Sequence, residues 1–133
     1  MKRHLYSLGI LLATSVHAFA QAPEMAPSPG PSIASKLEEQ GKMDYLQVTD
    51  LRATKRDNLL RIQAEITNTH AGNQQLYYRF KWLDRDGFSV WDEEPWKPMT
   101  LYGNQKQFIN AIAPTFKAAD FRLLLQSPNN TAN

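Results

Sequence analysis

Leu60, Ile62, Ala64 and Ile66 alternate with Arg61, Gln63, Glu65 and Thr67, and this period of two limits what the chain can become. Successive side chains of an extended strand point to opposite faces, so such a run gives one face to a core and the other to water. A helix would scatter the same apolar positions around its circumference. Leu76, Tyr78, Phe80 and Trp82 repeat the pattern with heavier side chains, set against Tyr77, Arg79, Lys81 and Leu83. Two amphipathic strands of this weight need a second layer to cover them.

Turn signals divide the remainder into further short strands. Asp84-Arg85-Asp86-Gly87 interrupts the second run and Phe88 to Trp91 resumes it, which predicts a hairpin with Gly87 at positive φ. Phe108 to Ala113 and Phe121 to Gln126 add two strands. Leu46 to Ala53 adds another, with a slip between Val48 and Leu51 that a bulge would repair. Pro98 to Leu101 suits an edge strand, because proline cannot donate to a ladder on both sides. Six or seven short strands over residues 45–126 predict an all-β domain, a single immunoglobulin-like antiparallel β-sandwich; a small open barrel is the alternative. Tyr78, Phe80, Trp82, Phe108 and Phe121 are the expected centre of its core.

The first 44 residues have a different character. Met1-Lys2-Arg3-His4 is basic, Leu5 to Val16 is apolar, and Ala18-Phe19-Ala20 offers small residues at the spacing of a cleavage site. This pattern is that of a secretory signal peptide over residues 1–20, with Gln21 as the expected mature N-terminus. The apolar run is shorter than the roughly 20 residues a spanning helix needs, so no membrane span is expected once the leader is removed. Residues 21–44 form a linker that begins with four prolines before Ser32. Within it, Ile33 to Gln40 is expected to be a short helix: Ser35 and Glu38 have capping-box spacing, Ile33 and Leu37 are four apart, and Gly41 follows. Residues 127–133 are expected to be a disordered tail.

Charge and cysteine usage exclude several classes of function. The formal charge of +2 includes Lys2 and Arg3; without them thirteen basic residues face thirteen acidic ones. A neutral domain has no electrostatic drive toward a polyphosphate backbone, so nucleic-acid binding is not expected. The absence of cysteine rules out disulfides, thiolate metal sites, cysteine nucleophiles and a lipid-modified lipoprotein N-terminus.

The segment Tyr78-Arg79-Phe80-Lys81-Trp82-Leu83-Asp84-Arg85-Asp86-Gly87, with Trp96, Ala111-Ile112-Ala113-Pro114 and Ala119-Asp120-Phe121-Arg122-Leu123, resembles the YcfL-like family of small bacterial envelope proteins. The strand Leu60 to Asn68, ending in Asn, fits as well. The resemblance implies a β-sandwich and an envelope location, and it implies no activity. Some relatives are encoded beside lipoprotein activators of peptidoglycan synthases, which implies a connection with the cell wall. Many carry a lipobox cysteine that this chain lacks, so a periplasmic location without a lipid anchor is expected here.

Candidate chemistry is sparse. His70 stands in the polar stretch Asn68-Thr69-His70-Ala71-Gly72-Asn73 with no second base or ligand near it in sequence, and is expected to be a solvated loop residue. Asp84 and Asp86 begin like a calcium loop, but the twelfth position is Pro95, where a bidentate glutamate is needed. Asp92, Glu93 and Glu94 are neighbours in a loop without a distant carboxylate to complete a glycosidase pair. No Gly-x-Ser-x-Gly turn and no glycine-rich phosphate loop occurs. The chain is therefore expected to be no enzyme, with no metal and no cofactor. The surplus is aromatic: Tyr77, Trp91, Trp96 and Tyr102 fall outside the inward set and are the expected partner surface. The expected function is a non-catalytic envelope interaction domain that binds another envelope protein; a peptidoglycan-binding module using the same aromatic residues is the alternative.

Overall fold

The computed structural model describes residues 32–128; residues 1–31, which hold the expected leader and the four prolines of the linker, and residues 129–133 lie outside them. Among the described residues seven strands form two sheets. They are β1 (Leu37–Gln40), β2 (Leu46–Arg56), β3 (Leu59–Asn68), β4 (Gln74–Leu83), β5 (Lys97–Leu101), β6 (Lys106–Ile112) and β7 (Asp120–Gln126). One sheet has the order β1-β7-β4-β5 and the other β2-β3-β6. Four strands therefore face three, as in an immunoglobulin-type sandwich. The order is its own: β2 and β3 are hairpin neighbours in one sheet, and β1 joins β7 in parallel.

The alternation works as the sequence predicts. Leu60, Ile62, Ala64 and Ile66 of β3 are buried, as are Leu76, Phe80 and Trp82 of β4. Tyr78 packs at the margin of the same core. Phe80 and Trp82 stack with ring centres 5.2 Å apart, and Phe121 tilts against Phe80 at 6.2 Å. The register of β2 on β3 shifts between Val48 and Asp50, the position of the expected bulge. An added residue there twists an exposed edge strand and spoils it as a template for further pairing. Pro98 lies on β5, which pairs only with β4 and is an edge.

Three expectations are corrected. Ile33 to Gln40 is not a helix: Ile33–Lys36 make one 3-10 turn and Leu37–Gln40 are strand β1. Ser35 Oγ donates to the carbonyl of Ser32 instead of accepting from a helical N–H, and β7 supplies a ladder partner for every residue from Leu37 to Gln40. Two helical turns are marginal alone, whereas an open sheet edge satisfies the backbone at once. Phe108 is not in the core but half exposed on the outer face of β6, because Ile109 opposite Ala64 takes the inward position. Ser127, the first residue of the expected tail, is buried and donates its hydroxyl to the carbonyl of Gln75.

The end of the sandwich at Asn68 is tied by side-chain to backbone bonds. Asn68 is 1% exposed and occupies the last inward position of β3. Its Nδ2 donates to the carbonyls of Gly72, Leu101 and Tyr102 at 2.9, 3.2 and 3.1 Å, and its Oδ1 accepts from the His70 N–H at 2.9 Å. The β3–β4 and β5–β6 connections thus meet on one amide. They approach so closely that a Cβ on Gly103 would lie 1.9 Å from the Ala71 oxygen, so only glycine fits. His70 is a working part of this end: its Nδ1 accepts from the Gly72 N–H at 2.9 Å, and its ring lies 4.4 Å from that of Tyr45.

Candidate functional site

The long β4–β5 connection returns over the outer face of the four-stranded sheet, and its acidic residues serve to hold it there. Asp84 Oδ1 accepts from the N–H groups of Asp86 and Phe88, both at 2.9 Å, and the Asp84 N–H donates to the Phe88 carbonyl at 2.8 Å. Gly87 has φ +85°, as the hairpin requires. Asp84 is thus a turn-forming carboxylate committed to backbone amides. The expected strand Phe88 to Trp91 shrinks to a single bridge between Ser89 and Leu83.

Beyond that turn the chain is clamped by Arg79. The guanidinium of Arg79 pairs with Glu93 Oε1 at 2.5 Å, donates through Nη1 to the Glu94 carbonyl at 3.2 Å, and lies 4.2 Å from the centre of the Trp96 ring. The indole N–H of Trp82 donates to Glu94 Oε1 at 3.2 Å. Glu93 and Glu94 therefore answer different donors and form no acid–base pair. Between the loop and the sheet is a cleft of about 280 Å³, lined by Glu38, Arg79, Lys81, Trp91, Glu93 and Leu124.

The four aromatic residues singled out from the sequence do not share one surface. Tyr77 is half-buried on β4 opposite Pro98 and Gln126. Trp96 is half-buried against Arg79. Trp91 is 48% exposed at the mouth of the cleft. Tyr102 lies at the opposite end of β4, where its carbonyl receives Asn68. Two residues that pattern reasoning missed join Trp91 instead: Phe88 is 71% exposed and Phe116 69% exposed. Phe88 and Trp91 belong to the β4–β5 connection, and Phe116 to the β6–β7 connection, whose Lys117 lines a depression with Trp91 and Asp92. Phe116 stands outside the alternating runs, among polar and turn residues, whereas Phe88 falls in the expected resumed strand that the structure reduces to one bridge.

Titratable groups at the start of β7 serve the fold. Burial opposes the charge of Asp120, but bonds from Lys36, the Phe121 N–H and Arg122 outweigh it and hold the carboxyl below its ordinary value. Lys36 Nζ is 2.7 Å from Asp120 Oδ1, which fastens the 3-10 turn to β7. Among the described residues no group of three His, Asp or Glu is placed to hold a metal ion, and no helix is long and apolar enough to cross a membrane.

The class defined so far is a small seven-stranded β-sandwich with exposed aromatic loops at one end. The chain belongs to the DUF1425 family, described as protein of unknown function, whose model matches residues 34–127. Among solved structures it is similar to a member of that family from Shewanella sp. pv-4, at 27% identity and a TM-score of 0.57, over 66% of this chain and 81% of that one. It is also similar in fold to Campylobacter jejuni cj0090, at 19% identity and a TM-score of 0.57, over 69% of this chain and 97% of that one. No curated protein matches the chain.

Proposed function

We propose that the chain is exported to the bacterial periplasm and acts there as a non-catalytic domain that docks onto another envelope protein. The leader pattern of residues 1–20 and the resemblance to YcfL-like envelope proteins support the location, and that resemblance supports a role in cell-wall assembly. The observation that carries the docking surface is the exposure of Phe88, Trp91 and Phe116 on two loops at one end, while the core beneath is closed by Trp82, Phe80 and Phe121. Large aromatics that a fold does not use for its own packing are the commonest anchors of protein interfaces.

The test is photo-crosslinking in cells from a reactive residue placed at position 91, followed by mass spectrometry. One envelope protein should dominate, and its capture should fall at least about thirtyfold on Phe116→Ala, a loss of about 2 kcal/mol at a hot spot. Capture from position 91 that survives Phe88→Ala and Phe116→Ala together would overturn the docking surface. Retention of the wild-type chain on peptidoglycan, lost on Trp91→Ala, would move the function to glycan binding.

A further inference from the structure

The outer face of the three-stranded sheet carries a second feature, remote from the aromatic loops. Its central strand β3 presents Glu65, Gln63 and Arg61 outward. Both carboxylates of this face are already engaged. Asp50 accepts from Arg52 Nε at 2.9 Å, and Glu65 accepts from Thr49 at 2.5 Å and pairs with Lys106 at 3.3 Å. Arg61, flanked by Thr54 of β2 and Ile112 of β6, has no carboxylate partner among the described residues. Its Nε is buried and unbonded, as is that of Arg79, but Arg79 pairs through its terminal nitrogen with Glu93, whereas the terminal nitrogens of Arg61 have no such partner. The other partly buried cations, Lys36, Arg79 and Arg122, each hold a carboxylate. A guanidinium drawn partly out of water without an anion is a costly arrangement, and an anionic ligand would relieve it.

Arg61 lies in an open groove of about 750 Å³. One step along β3, Gln63 Nε2 donates to Asn110 Oδ1 at 3.1 Å. That bond leaves Gln63 an acceptor oxygen and Asn110 a donor nitrogen facing the groove's solvent side. Phe108, 52% exposed, stands two residues before Asn110 and so on the same face of β6, roughly 7 Å away along the strand. A cation and a pair of amides line the groove, and beyond its lining the ring of Phe108 follows on the same sheet face, beside Glu65, whose carboxylate is held by Thr49 and Lys106. Planar amides match hydroxyl and acetamido groups, an exposed ring matches the C–H face of a pyranose, and a guanidinium matches a carboxylate. We propose that this groove binds a carboxylate-bearing saccharide, with Arg61 on the carboxylate, Gln63 and Asn110 on the ring substituents, and Phe108 against the sugar face.

The probes are N-acetylmuramic acid and N-acetylglucosamine, which differ by the lactyl carboxylate, titrated into the full chain with amide chemical shifts followed by NMR. The acidic sugar should perturb Gln63, Asn110 and their neighbours and bind at least about tenfold more tightly than the neutral one, the contribution of one charge-assisted contact. Arg61→Gln should abolish that discrimination without lowering the melting temperature, since it removes an unpaired cation. Phe108→Ala should weaken both sugars, and Trp91→Ala neither, which separates this site from the docking loops. Equal affinity for the two sugars, no perturbation by either, or discrimination that survives Arg61→Gln would overturn the proposal. A glutamate dipeptide binding as tightly as N-acetylmuramic acid would also overturn it, because the groove would then read a carboxylate and no sugar.

Discussion

The side-chain amide of Asn68 donates to the backbone carbonyl of Tyr102 at 3.1 Å, joining the end of β3 to the connection after β5. The two residues are far apart in the chain: Asn68 ends β3 of one sheet, and Tyr102 follows β5 of the other. The same nitrogen reaches Gly72 and Leu101, so one buried polar group organises two loops. Asn68→Ala should therefore cost about 3 kcal/mol, since buried carbonyls left unpaired cost about 1–3 kcal/mol each. Asn68→Asp should be worse, because it buries a charge and removes the donor. Denaturant titrations with the slope held constant are the check, and a loss under about 0.5 kcal/mol for both variants would refute the role.

Trp82, 2% exposed and stacked on Phe80, is the largest side chain of the core. Trp82→Ala should destabilise the domain by about 3–5 kcal/mol through the cavity it leaves, and it also strands Glu94 without its indole donor. A domain of this size holds about 5–15 kcal/mol in all, so the variant should melt far below the parent by circular dichroism.

Trp91 and Trp96 should separate cleanly. Trp96→Ala removes the ring beneath the Arg79 guanidinium and should cost about 1–3 kcal/mol. Trp91→Ala removes a half-exposed ring with no hydrogen bond from its indole and should change stability by no more than about 0.5 kcal/mol. Thermal melts of the two variants side by side decide it; equal losses would mean that Trp91 is structural cover.

Acid should loosen the N-terminal edge of the sheet first. The Asp120 carboxyl is held below its ordinary value of 3.8 in the folded state. A lowered folded value means that its stabilisation is fully present above the unfolded value and disappears as pH falls through the folded one. Stability should thus decline below about pH 4, with amide exchange rising in Leu37–Gln40 before the centre of β4. Asp120→Asn should lower stability at neutral pH and flatten the decline.

The sequence made the strands legible where one face is apolar and the other polar, as in Leu60 to Thr67 and Leu76 to Leu83. It made the Val48–Asp50 bulge legible as a slip in that rhythm. It misled at Ile33 to Gln40, where helix-start chemistry is real but short, and the deciding partner is β7, some eighty residues away. It misled at Phe108 because Phe108 and Ile109 are adjacent apolar residues, and only pairing with β3 decides which faces inward. The Arg79–Trp96 contact was hidden for a related reason. Both residues lie off the core, so no hydrophobic pattern points from one to the other, and their meeting depends on how the long loop crosses the sheet.

The parallel pairing of β1 with β7 has a mechanical consequence. The polypeptide enters the fold at the start of β1 and leaves it at the end of β7, with Leu37 beside Leu123 and Gln40 beside Gln126. A pull on the two ends draws these strands past each other along their length, so every cross-link between them, and the Lys36–Asp120 tie, bears the load together instead of yielding one after another. A domain pulled by its two ends thus resists by shear, the direction in which a strand pair is strongest.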